Sequence, residues 1–347
     1  MKTPRFAIWV LAALAVNAGY LAAFAHATLF YVANVFLHIA LGAALAIWAL
    51  AALRRFPFEA GIIVLSAIPA AYLIARGNTS DHRAILIAHI AIAAAALIVV
   101  IARSRADRLL LFAAFLMFIL LPASAGIYRR LHPDPADRIE NPATAPLSMN
   151  DEGAGEHSPF APSSAQTTTG KIIPANFFLD SAQCGECHRD IYAQWKSSMH
   201  HFASFNNQFY RKSIEHMQEV AGTRPSRWCA GCHDHAMFFN GRFDRPVKEQ
   251  IDTPEAQAGL GCMSCHAIVH VGSSMGNGDF TVEYPPLHEL ASSRNPLLRS
   301  LSDFLTYVNP KPHRRTFLKP FLREQPAEFC SACHKVHLDA PVNNYRW

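Results

Sequence analysis

The chain has 347 residues, of which 51% are hydrophobic and 16% charged, and it holds 8 cysteines. Ordinary soluble domains carry about 25% charged residues, so a single soluble domain is excluded, and the cysteines are too sparse for a disulfide scaffold. Residues 1–130 hold 11 Lys+Arg and 3 Asp+Glu, a net of +8, while the rest hold 20 and 23, a net of −3; the overall basicity belongs to one part of the chain and does not point to nucleic acid.

Five apolar stretches fill the first part, at residues 6–25, 28–53, 60–75, 84–102 and 109–128. A membrane-spanning helix needs about 20 apolar residues. Four stretches meet this, and the third, with Pro69 inside it, draws on residues 56–58 to reach that length. Helices buried in a soluble core are the weaker reading, because five consecutive charge-free runs would need a very large protein around them. With a cytoplasmic N-terminus, Lys2, Arg5, Arg54, Arg55, Arg103, Arg105 and Arg108 fall inside, against Arg76, Arg83, Arg129 and Arg130 outside. This bias predicts a multi-pass protein of a bacterial inner membrane with residues 131–347 on the periplasmic or extracellular side. An alternative for the first stretch is a cleaved signal, with Ala25-His26-Ala27 near the cleavage pattern.

Ionisable groups inside a bilayer are costly and usually functional. His38 in the second span and His89 in the fourth are candidates for a b-type haem or quinol site. At 1.5 Å per residue they sit about 15 Å and about 7 Å below the outer starts of their spans. That mismatch favours interhelix hydrogen bonding as the competing reading.

Residues 131–178 change character. Pro133, Pro135, Pro142, Pro146, Pro159, Pro162 and Pro174 punctuate a segment without apolar periodicity, which reads as an extended linker. Residues 179–347 follow as a separate domain.

All eight cysteines lie in that last part, in four copies of one pattern. They are Cys184-Gly-Glu-Cys187-His188, Cys229-Ala-Gly-Cys232-His233, Cys262-Met-Ser-Cys265-His266 and Cys330-Ser-Ala-Cys333-His334. C-x-x-C-H is the signature of c-type haem attachment: two thiols add to the two vinyl groups of one haem, and the adjacent histidine supplies the proximal nitrogen. Two four-cysteine zinc sites or redox dithiols are the competing readings, and neither explains a histidine after every second cysteine. Four covalent haems within residues 184–334 must supply much of the core. The expectation is a mostly α fold, a bundle of about five transmembrane helices followed by a haem-packed, helix-and-loop tetrahaem domain. One helix is predicted from Cys187 toward Val220, a second helical region from Leu287 to Val308 broken near Pro296, and a short strand within 278–284.

Sixth ligands decide between electron transfer and catalysis. His200, His288 and His313 are the preferred distal ligands, with His201, His216, His235, His270 and His337 as substitutes. His132 and His157 lie in the linker. Met199, Met217, Met237, Met263 and Met275 are further candidates, given less weight because histidine is plentiful.

Cys184–His188 followed by Trp195-x-x-Ser198-x-His200 resembles the cytochrome c-552/4-type multihaem family over roughly residues 180–340. The resemblance implies stacked haem pairs, an electron-transfer role and a distal-ligand role for His200. The five-span part departs from soluble members of that family. Proteins similar around Phe329–Trp347 often continue into further C-x-x-C-H motifs, so the end at Asn343-Asn344-Tyr345-Arg346-Trp347 is compatible with truncation. The reading that follows is a membrane-anchored multihaem cytochrome that moves electrons between the lipid bilayer, through the quinol pool or a membrane redox complex, and a periplasmic redox protein. The competing reading is an oxidoreductase acting on a small nitrogen or sulfur compound at a haem with an open sixth position. A redox sensor ranks last, since no signalling domain is present in residues 1–130.

Overall fold

The computed structural model describes residues 4–104, 107–285 and 288–339. Lys2, Arg105, Leu287 and the 343–347 end named above lie outside these residues. The chain is mostly helical, with five long apolar helices followed by a helical domain. It divides into two compact units, Met1–Pro133 with Glu289–Thr316, and Asp134–His288 with Phe317–Trp347.

In the first unit the apolar stretches are α1 (Arg5–Ala23), α2 (Leu29–Ala52), α3 (Pro57–Arg76), α4 (Arg83–Arg103) and α5 (Arg108–Leu131). All five are long and apolar enough to cross a membrane. Each packs on the next and α5 returns to α1, so the helices form a closed ring in chain order. Gly19 makes the closure possible: a Cβ there would stand 2.9 Å from the Met117 carbonyl, and small residues are what allow helix backbones this close in an apolar medium. Arg129 Nη1 then donates to the Ala23 carbonyl at 2.7 Å, satisfying the end of α1.

The second unit is built on short helices around an aromatic core. These are α6 (Asn176–Leu179), α7 (Ser181–Cys187), α8 (Arg189–Lys196), α9 (Gln208–Ala221), α10 (Arg227–His233), α11 (His235–Phe238) and α12 (Cys262–His266). In chain order there follow α13 (His288–Ala291), α14 (Pro296–Val308), α15 (Lys311–Phe317), α16 (Phe321–Glu324) and α17 (Pro326–His334), of which α14 falls wholly in the first unit. Phe160, Phe177, Phe178, Phe239, Phe243, Phe280 and Phe321 fill the core. Beside them lies a small sheet, β1 (Gln166–Thr167), β2 (Ile268–Val271) and β3 (Phe280–Val282), in the order β1-β3-β2. β3 is the strand expected within 278–284; it runs parallel to β1 and antiparallel to β2, with Val271 opposite Phe280.

The helix expected from Cys187 toward Val220 is broken. Ser198 Oγ donates to the Trp195 carbonyl at 2.7 Å, a local bond that competes with continuing the helix. Asn207 then caps α9 by accepting from the Phe209 and Tyr210 amides. Similarly, Asn295 caps α14, with Pro296 at its first position. The proline-rich segment, though without period, adds Ile139, Phe160, Ala165 and Ile173 to the core. It does so through isolated anchors between turns, a pattern that hydrophobic periodicity does not register.

Candidate functional site

Each C-x-x-C-H sequence forms or ends a short helix: α7, α10, α12 and α17. The helical turn sets both cysteines and the following histidine on neighbouring faces. Among the described residues no cysteine is in a disulfide. The thiols instead meet between motifs. Cys184 of the first lies against Cys262 of the third, and Cys232 of the second against Cys333 of the fourth.

The four motifs give their thiols unlike environments. Burial pushes Cys229 and Cys265 up to about 11, and Cys333 rises through its hydrogen bond to Cys232 and its burial. A working dithiol needs a depressed pKa. Cys262 is pulled down to about 6 by the bond from Cys184, and Cys232 falls through the bond from Cys333. Both bonds run between motifs, so neither activates a thiol against the second cysteine of its own motif. No group of three or more His, Cys, Asp or Glu among the described residues is arranged to hold a metal ion.

The motif histidines are placed as haem attachment would require. His266 Nδ1 pairs with the Phe317 carbonyl at 2.6 Å; a carbonyl only accepts, so Nδ1 carries the proton and Nε2 is left as a ligand, the arrangement that orients metal-bound histidines generally. His188, His233 and His334 stand at helix ends, each partly open to solvent. Desolvation lowers the pKa of His233, and the nearby His334 adds to the effect. Beside His233, the Asp234 carboxyl is buried, accepts from Ser204 Oγ and from Tyr210 OH, and is pushed up to about 7 by desolvation.

Of the distal candidates, His200 is brought to the fourth motif: its ring lies 6.0 Å from that of His334. The Trp-Ser-His stretch is a latch. Trp195 Nε1 donates to the Leu260 carbonyl at 2.8 Å, and the Leu260 amide donates back to the His200 carbonyl at 2.7 Å. Gly259 permits the crossing, because a Cβ there would meet the His200 carbonyl oxygen at 2.3 Å. The amide of Cys262 donates to Ser181 Oγ at 3.0 Å, joining the first and third motifs again. Sequence reasoning named Trp195 and His200 but missed Gly259, Leu260 and Phe317. The run Ala258-Gly259-Leu260-Gly261 just before the third motif, with a glycine on each side of Leu260, was the available signal for the first two.

His288 is buried, with Phe177 at 4.7 Å and Tyr284 at 5.4 Å edge to face. His313 lies on α15, in the stretch assigned to the first unit. Among the substitutes, His201 packs on Trp195 at 4.6 Å and His216 is exposed on α9. His235 is fully buried; its Nε2 pairs with the Gly231 carbonyl, its Nδ1 has no hydrogen-bond partner among the described residues, and burial pulls it down to about 4. His270 on β2 likewise has a buried Nδ1 without a partner. His337 is committed elsewhere: Nδ1 pairs with the Met275 carbonyl and Nε2 with Glu152 at 2.5 Å, both side chains being buried. In the first unit, the rings of His38 and His89 are 6.5 Å apart.

Residues 183–267 match the family described as cytochrome c554 and c-prime. The match takes in the first three motifs and the latch, and supports a cytochrome c domain with covalently bound c-type haem and a haem-based electron-transfer role. No curated protein and no solved structure matches the chain.

Proposed function

We propose that the chain is a membrane-anchored tetrahaem c-type cytochrome that passes electrons between the quinol pool of a bacterial inner membrane and a soluble redox protein on the periplasmic side. The observation that carries this reading is the pairwise meeting of motif thiols, first with third and second with fourth. Attachment points this close leave room only for haems edge-near or stacked, the spacing a relay needs. When bound, each haem supplies a one-electron ferric–ferrous couple.

The protein's own residues hold and orient. The eight cysteines anchor the haem edges, and His188, His233, His266 and His334 serve as proximal ligands. His200 is the proposed sixth ligand on the iron held by His334, since two bonds of about 2 Å to one metal place opposed imidazole centres on the order of 6 Å apart. His288 stays in the proposed distal set, inside its aromatic cage. The five helices are the proposed route to the bilayer, and the basic-residue bias supports the orientation.

Pyridine haemochrome analysis of the full chain tests the reading; four c-type haems per polypeptide are expected, and fewer would overturn the tetrahaem assignment. In proteoliposomes, a quinol analogue should reduce these haems. Haems that respond to dithionite but not to the quinol would overturn the quinol-pool assignment.

A further inference from the structure

The first unit contains a polar group of residues that the covalent haems do not use. His38 on α2 and His89 on α4 are half-buried within the ring of apolar helices. Their ring centroids lie 6.5 Å apart with planes at 87°. The depth mismatch read from the sequence is therefore taken up by the packing of the helices.

The tautomer of each ring follows from its partners. Asn17 Nδ2 donates to the backbone carbonyl of Asn34 at 3.2 Å and to Asn34 Oδ1 at 2.8 Å. A backbone carbonyl only accepts, so the orientation of the Asn17 amide is settled and its Oδ1 faces His38 Nδ1 at 3.0 Å. His38 must donate from Nδ1. His89 Nδ1 meets the Ser66 carbonyl at 3.0 Å and must also donate. That carbonyl lies one turn before Pro69, in the part of α3 where a missing amide and ring crowding loosen the helical ladder. Each histidine thus spends an Nδ1–H on an oxygen acceptor, which leaves its Nε2 as the nitrogen that can ligate. Two such nitrogens, on rings 6.5 Å apart, can share one electrophile.

The spacing selects the electrophile. Two axial bonds of about 2 Å put opposed imidazole centroids on the order of 6 Å apart, and fixing Nδ1–H on an oxygen acceptor is how ligating histidines are oriented. The helices carry small residues beside these rings: Gly42 lies one helical turn beyond His38, where a Cβ would meet nothing within 4 Å, and Ala93 lies one turn beyond His89. We propose that His38 and His89 are the axial ligands of one non-covalent b-type haem held within the membrane-helix unit, with Asn17 and the Ser66 carbonyl as positioning groups. It deepens the quinol-to-exterior reading but does not depend on the number of covalent haems.

Acid–acetone extraction of the purified full chain separates non-covalent haem from haem bound through thioethers. One extractable protohaem per polypeptide is expected, with a strongly anisotropic low-spin ferric EPR signal from perpendicular axial imidazoles. His38→Ala and His89→Ala should each abolish the extractable haem and leave the covalent haem per chain unchanged, which controls for folding. Asn17→Leu should lower haem affinity about 10- to 100-fold, the usual cost of losing a ligand's supporting partner. Wild-type protein without extractable haem would overturn the proposal, whether or not it retains quinone. So would extractable haem that survives both histidine substitutions. A covalent count other than four, with the extractable haem intact, would sink the tetrahaem reading alone.

Discussion

At His200, the ring of His334 is 6.0 Å away, and the proposed ligation makes a sharp expectation. His200→Ala should convert one haem from low-spin to high-spin in ferric EPR without lowering covalent haem content, whereas His216→Ala, on the exposed face of α9, should leave the spectrum as it is. The crossing at Gly259 is equally specific. Gly259→Ala puts a methyl against the His200 carbonyl, and overpacking of this kind costs about 1–3 kcal/mol; a lowered Tm of the full chain checks it. Asp279 carries a pH signature. Burial is the largest cause pushing its carboxyl from 3.8 up to about 6, with Glu152 adding repulsion. The folded state therefore holds a proton that the unfolded chain releases, so this contribution is present below about pH 4 and is lost as pH rises through about 6. Asp279→Asn should flatten the stability profile across that window, by on the order of 3 kcal/mol, in denaturant titrations at stepped pH.

Among the elements, the proline-rich segment departs furthest from its sequence pattern. Glu152 within it is buried against His337, and Ser164 Oγ donates to the same carboxylate at 3.1 Å. Glu152→Ala leaves a buried imidazole nitrogen without its hydrogen-bond partner, a loss of about 1–3 kcal/mol. Chemical denaturation should show a destabilised cytochrome unit, and an unchanged midpoint would mean the segment is only a tether. The five long apolar helices, the four C-x-x-C-H motifs and β3 were legible because each rests on information within about twenty residues: an apolar run, a repeated pattern, an alternation ended by glycine. The latch was half legible. Trp195 and His200 are close in sequence, but their partner Leu260 is 65 residues beyond Trp195. The burial of residues 139–173 was not legible, since single anchors such as Phe160 have no period. The meeting of His38 and His89 was not legible either, because depth counted along each helix says nothing of how the helices are staggered.

For the whole molecule, the charge division becomes an expectation about association. Residues 131–347 carry −3, and four ferric haems with ionised propionates would add about −1 each, giving about −7. Electron exchange with a cationic soluble cytochrome should slow as salt rises and the Debye length falls from about 30 Å at 0.01 M to about 8 Å at 0.15 M. Stopped-flow rates independent of salt would contradict a steered encounter. The buried Glu152–His337 pair has a second consequence, for the order in which the protein is made. It spans 185 residues, and it is joined by the reciprocal bonds between Ile139 and Gln325 and by the bond from the Met149 amide to Asp339, across 186 and 190 residues. Such closures require the chain beyond the fourth motif and carry the loop-closure entropy of the whole unit. His337 and Asp339 thus clasp residues 149 and 152 from the far end of the unit, and the stretch they close takes in all four C-x-x-C-H sequences.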